Sequence, residues 1–75
     1  MQLARNAKGA VLVFTGFCAV KRHMVVIEMR NVAYIANADG LASVHFIGDG
    51  QHLLLRERFN DVVQELYPWM HKPGE

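Results

Sequence analysis

The spacing of apolar positions changes twice along this chain, and each change predicts a different element. Residues 10–20, AVLVFTGFCAV, are almost continuously apolar. Their Val and Phe content predicts a strand over 10–17, buried on both sides, with Lys8-Gly9 opening the structured chain. Gly16 marks a bulge or bend within it. Ala19 to His23, centred on Lys21-Arg22, reads as a turn, and His23 to Arg30 (HMVVIEMR) as a second strand. Asn31 interrupts before VAYIAN (32–37), so 24–37 fits either one bent strand or two.

Asp39-Gly40 and Asp49-Gly50 are both two-residue hairpin signals. They bracket LASVHFI (41–47) and QHLLLR (51–56), which predicts a three-stranded meander from about Val32 to Arg56. The period then changes. Phe59, Val62, Val63, Leu66 and Tyr67 recur at helical spacing, with Asn60, Asp61, Gln64 and Glu65 on the other face. This predicts a helix of about three turns, ended by Pro68 near Tyr67. In the tail WMHKPGE, Trp69 is expected to dock.

Two-residue turns would fix the register. Ile35 then opposes Val44, Tyr34 opposes His45, Phe46 opposes Leu53 and His45 opposes Leu54. One face carries Ala33, Ile35, Val44, Phe46, Leu53 and Leu55 and seats the helix. The other carries Val32, Tyr34, Leu41, Ser43, His45, Ile47, His52, Leu54 and Arg56, with His45 and His52 diagonal to each other. A three-residue loop over 48–50 would instead turn His52 into the core beside Phe46, so the two-residue loop is preferred. One helix covers one sheet face. Water would meet an apolar patch on the other face, which monomers rarely tolerate. Either the N-terminal strands fold over that face or a second copy does. Because those strands are expected to extend the same sheet, a homo-oligomer, most simply a C2 dimer, is preferred.

The expected fold is therefore α+β: a small antiparallel meander sheet of about four to five strands with one C-terminal helix on one face. At 75 residues and 8.5 kDa the chain is one domain, 1–75. Apolar residues make up 52%, above the usual range of about 45–50%, which excludes general disorder. Charged residues are 20% and the net charge is +1, which excludes a strongly basic or acidic tail. Cys18 is the single cysteine, so there is no internal disulfide framework and no zinc site built on several thiolates. Arg5 and Lys8 before the apolar run resemble a secretory signal. The run is too short for a bilayer-spanning helix, which needs about 20 residues. Phe17 before Cys18 does not fit a lipoprotein signal, and Phe17-Cys18-Ala19 is a poor cleavage site. A strand and a bacterial-type cytoplasmic protein, not associated with membranes, are expected instead.

The candidate chemistry is sparse. His45 and His52 share a face, but zinc needs at least a third ligand, and nothing in the sequence brings His23 there. Half-buried interface histidines and no metal are expected. Cys18 lies in an apolar run, unlike the electropositive setting of a nucleophile, and reads as a small core residue. Residues 1–30 carry five positive side chains and Glu28, a net +4, and the remaining 45 carry −3. That asymmetry suits phosphate, or one subunit's basic end against another's acidic helix. Asp61 and Glu65 lie one turn apart on the polar helix face. No phosphate loop, G-x-S-x-G or H-E-x-x-H occurs.

Residues 31–67, NVAYIANADGLASVHFIGDGQHLLLRERFNDVVQELY, run through N-V-x-Y-I, a hairpin, a Gly turn, L-L-x-R-E-x-F and V-V-x-x-L. This half of the chain resembles the first half of LytTR-type DNA-binding domains of bacterial response regulators. It is also similar to small flagellar-operon proteins of the FlbD type. The LytTR pattern continues past the helix into an F-x-R-x-H-R-S strand near the DNA contact. Here WMHKPGE follows, with only His71 and Lys72 as echoes. The FlbD likeness carries no site residues.

The expected function is a non-catalytic binding or regulatory module without a cofactor, acting as a homo-oligomer or with another protein. Tyr34, His45, His52, Leu54 and Arg56 are the expected contact or pocket residues. One alternative is a LytTR-like DNA-binding regulator using Lys21, Arg22 and Arg30. The other is a small-ligand binder with a pocket between subunits, lined by Tyr34 and the histidines.

Overall fold

The structure is a computed structural model describing residues 1–48 and 50–67. Its strands are β1 (Leu3–Arg5), β2 (Val11–Phe17), β3 (Met24–Glu28), β4 (Val32–Ala38), β5 (Leu41–Phe46) and β6 (His52–Arg58), followed by helix α1 (Phe59–Leu66). They form two three-stranded antiparallel sheets, β1-β2-β3 and β4-β5-β6, rather than one meander of four to five strands. The α+β class and the C-terminal helix hold; the single sheet does not. A 3-10 turn, Met29–Asn31, separates β3 from β4, so 24–37 is two strands in different sheets.

An unexpected β1 precedes the apolar run. The Asn6 carboxamide accepts the backbone N–H groups of Lys8 and Ala10 at 2.9 and 3.0 Å, closing the β1–β2 turn ahead of Gly9. Strand β2 is not buried on both sides. It alternates, with Phe14 and Gly16 buried and Val13, Thr15 and Phe17 half-exposed.

The two sheets meet where the end of β2 pairs with β6. Cys18 and Leu55 form an antiparallel bridge, and Ala19 N–H donates to Leu54 O at 2.8 Å. Gly16 permits this approach: a Cβ there would lie 3.1 Å from Leu55 Cδ1, so its role is close packing rather than a bulge. Phe14, Ile27, Ala42, Val44, Leu55, Val62 and Leu66 make one core, shared by both sheets and the helix. Full burial of one such side chain contributes at most about 1.5–3 kcal/mol. Neither half closes this core alone, because each would expose the other's contribution.

The Asp39-Gly40 turn is as expected. Both residues have positive φ (52° and 93°), as a type I′ turn requires, and Ala38 pairs with Leu41 across it. The second loop is longer. Phe46 N–H donates to Gln51 O at 3.1 Å, so residues 47–50 make the connection, with residue 49 outside the described residues. Val44 then opposes Leu53 and His45 opposes His52. The shift from the expected register is an even number of residues. The β5 and β6 side chains therefore stay on their predicted faces while their partners across that pair change. An irregularity between Val32 and Tyr34 turns Val32 toward the core instead of the open face and leaves Ala33 exposed.

Helix α1 spans eight residues, just over two turns and shorter than expected. Val62, Val63 and Leu66 are buried, and Phe59 N–H donates to Gly40 O at 2.8 Å. The Arg5 guanidinium donates to Glu65 O at 3.0 Å and Gly9 O at 2.8 Å, tying β1 to the carbonyl end of the helix. The predicted docking of Trp69 lies outside the described residues, as do Pro68, His71 and Lys72. No helix among the described residues is long and apolar enough to cross a membrane.

Candidate functional site

The N-terminal sheet and α1 pack on the same face of β4-β5-β6, the face bearing Ala42, Val44 and Leu55. The opposite face, where a choice between those strands and a second copy was expected, is covered by neither. Its centre is a row of three rings. Tyr34, His45 and His52 are register partners across β4, β5 and β6. Tyr34 and His45 stack with centroids 4.4 Å apart and planes 10° apart; His45 and His52 follow at 5.0 Å and 18°. These spacings match the roughly 4.7–4.9 Å between strands, so the register itself builds the ladder. The histidines are thus directly opposed rather than diagonal, because the longer loop brings His52 rather than Leu54 across from His45.

Ser43, two residues before His45 on β5, is buried, and its Oγ shares a 3.1 Å hydrogen bond with His45 Nε2. That bond satisfies a buried hydroxyl and orients the central ring. Tyr34 remains 57% exposed and Ile47 65%. No group of three or more His, Cys, Asp or Glu side chains among the described residues is placed to hold a metal ion.

The outward face continues past β6. The Cys18–Leu55 bridge places Phe17 across from Arg56, and the Arg56 guanidinium lies 5.0 Å above the Phe17 ring centroid. Beyond the bridge, Lys21 and His52 line one cleft. The chain turns there: Cys18 N–H donates to His23 O at 2.9 Å and Arg22 N–H to Cys18 O at 2.8 Å. The buried Cys18 Sγ accepts Lys21 N–H at 3.4 Å, which gives this core cysteine a local structural role. The turn opens a cleft of about 170 Å³ lined by Cys18, Val20, Lys21, His52, Leu53 and Leu54.

The structure therefore joins two sets of residues that the sequence kept apart. His52 and Leu54 meet Lys21 at one cleft, with Arg22 on the same turn. Arg30 is elsewhere. It lies beyond the other end of β3, bonded to Glu28 Oε2 at 3.1 Å, beside a separate cleft of about 300 Å³ lined by Val11, Leu12, Val13, Glu28, Met29 and Arg30. Alternation places Ser43 on this face, but nothing local signals its bond to His45, the part played by Phe17 or the approach of Lys21 to His52. Only the chain crossing at Cys18–Leu55 brings the last two about, and no local pattern signals it. Comparison with family models, curated proteins and solved structures finds no match to this chain.

Proposed function

We propose that this protein is a small, non-catalytic binding and regulatory module of the cytoplasm that acts as a homodimer. The outward face of β4-β5-β6 is its contact surface. Tyr34, His45 and His52 form the centre, and Leu54 and Arg56 lie toward the rim.

One observation carries the reading: a ring ladder with exposed Tyr34 and Ile47 on the sheet face that neither α1 nor the other sheet covers. Aromatic residues on a flat face give large contact area at small entropic cost. A second copy is the favoured occupant because residues 1–30 and the rest of the chain carry opposite net charges, +4 and −3, which a two-fold arrangement can set against each other.

Light scattering across a dilution series tests it. The expected mass is twice that of the chain, falling to one chain in Tyr34→Glu at the same concentration. A one-chain mass for the unaltered protein at every concentration overturns the reading. A dimer that survives Tyr34→Glu overturns the assignment of the face.

A further inference from the structure

The ring ladder has two ends. Tyr34 ends it at the free edge of β4, and His52 ends it at the cleft beside Lys21. One face of the His52 ring is stacked on His45, and the residue also lines the cleft with Val20 and Lys21 of the turn. At about 170 Å³ the cleft is well below the roughly 300–1,000 Å³ that holds a drug-sized ligand. It has room for one planar ring.

We propose that this cleft binds a nucleotide. The base stacks on the free face of His52 as the fourth ring of the ladder, and the phosphate lies against Lys21 and Arg22. The site goes beyond the dimer contact, since it is complete within one chain.

Three features combine here. His52 supplies a ring already held parallel to its neighbour, so a base finds an oriented platform. Val20 and Leu54 add apolar wall. Neither Lys21 nor Arg22 has a salt-bridge partner among the described residues, whereas Arg30, at the other end of β3, is paired with Glu28. Arg22 also sits at φ +60°, a region costly for a side chain without a local hydrogen bond to its own backbone. Glycine would rest more easily there, and Arg22 directly follows Lys21, which lines the cleft. Two sources supply this chemistry: a free nucleotide, or one nucleotide of a single strand. Stacking on an unpaired base and a phosphate clamp suit both.

The test is an NMR titration of the labelled full chain with adenosine monophosphate, a short oligodeoxyadenylate and inorganic phosphate. Shifts are expected at Val20, Lys21, Arg22, His52 and Leu54, with adenosine monophosphate binding more tightly than phosphate. A tighter oligonucleotide identifies the single strand as the source, and equal affinity identifies the free nucleotide; both support the site. His52→Ala should weaken nucleotide binding about five- to a hundred-fold, the range of one base–ring stack. His52→Phe should restore it. Arg22→Gly should weaken binding while the melting temperature holds or rises, an outcome a purely structural Arg22 does not produce. Absence of shifts at these residues, or phosphate binding as tightly as the nucleotide, overturns the proposal. So does full affinity in His52→Ala. Because His52 also lies on the proposed dimer face, the series is repeated on Tyr34→Glu, the single-chain variant, where the same shifts and the same loss on adding His52→Ala are expected; their absence there overturns a site complete within one chain.

Discussion

The two faces of the β4-β5-β6 sheet are built from the same three strands by the same alternation, yet they are finished differently. The inner face puts Ala42, Val44 and Leu55 against Phe14, Ile27, Val62 and Leu66, and nothing polar is needed there. The outer face replaces that packing with a ladder of rings, one of them hydrogen-bonded to a buried serine. The inner face derives its stability from area removed from water. The outer face keeps its order through stacking and register, and leaves apolar surface in solvent. The sheet is thus closed on one side by packing and left open on the other, where only the ladder orders it.

Substitutions on each face should separate these roles. The largest effect is expected at Leu55, fully buried where the two sheets meet. Leu55→Ala should lower the unfolding free energy by about 2–5 kcal/mol, measured by urea denaturation, without a direct change to the ladder. A loss below 1 kcal/mol would mean that the two sheets are not joined through this residue. Gly16→Val comes next, at about 1–3 kcal/mol, because its side chain would press on Leu55 Cδ1, 3.1 Å from the ideal Cβ position.

On the outer face, His45→Ala should cost about 1–3 kcal/mol, mainly by leaving the buried Ser43 hydroxyl without its partner. Adding Ser43→Ala should recover part of that loss, and strict additivity in the double variant would disprove the coupling. At concentrations where light scattering gives a single chain, the smallest effect on stability belongs to Tyr34→Glu, within about 0.5 kcal/mol as for most exposed positions. If Tyr34→Glu unfolded the chain as readily as Leu55→Ala, the contrast between the faces would be lost.

Local signals were legible where local chemistry is strong. Asp39-Gly40 specified its turn because both residues tolerate positive φ. The helical spacing from Phe59 to Leu66 located α1, although its length was overestimated. Alternation puts Tyr34, His45 and His52 on one face, and they share it. Their stacking was not legible, because Asp49-Gly50 suggested a two-residue loop where the chain uses residues 47–50. The short β1 carries no run of apolar residues; the Asn6 side chain closing a turn sets it.

What the sequence determined by itself is set by period and turn chemistry, which act over a few residues. The strand-to-helix change, the two faces of β4-β5-β6 and the α+β class all follow from alternation, which survives an even register shift unchanged. Where distant segments meet is settled by long-range burial instead. The 3-10 turn at Met29–Asn31 sends β3 and β4 into different sheets, and the Cys18–Leu55 bridge rejoins them. That crossing sets Arg56 over Phe17 and brings Lys21 and His52 to one cleft. It is selected by the burial of Phe14, Ile27 and Leu55 in one shared core, a quantity that no window of adjacent residues contains.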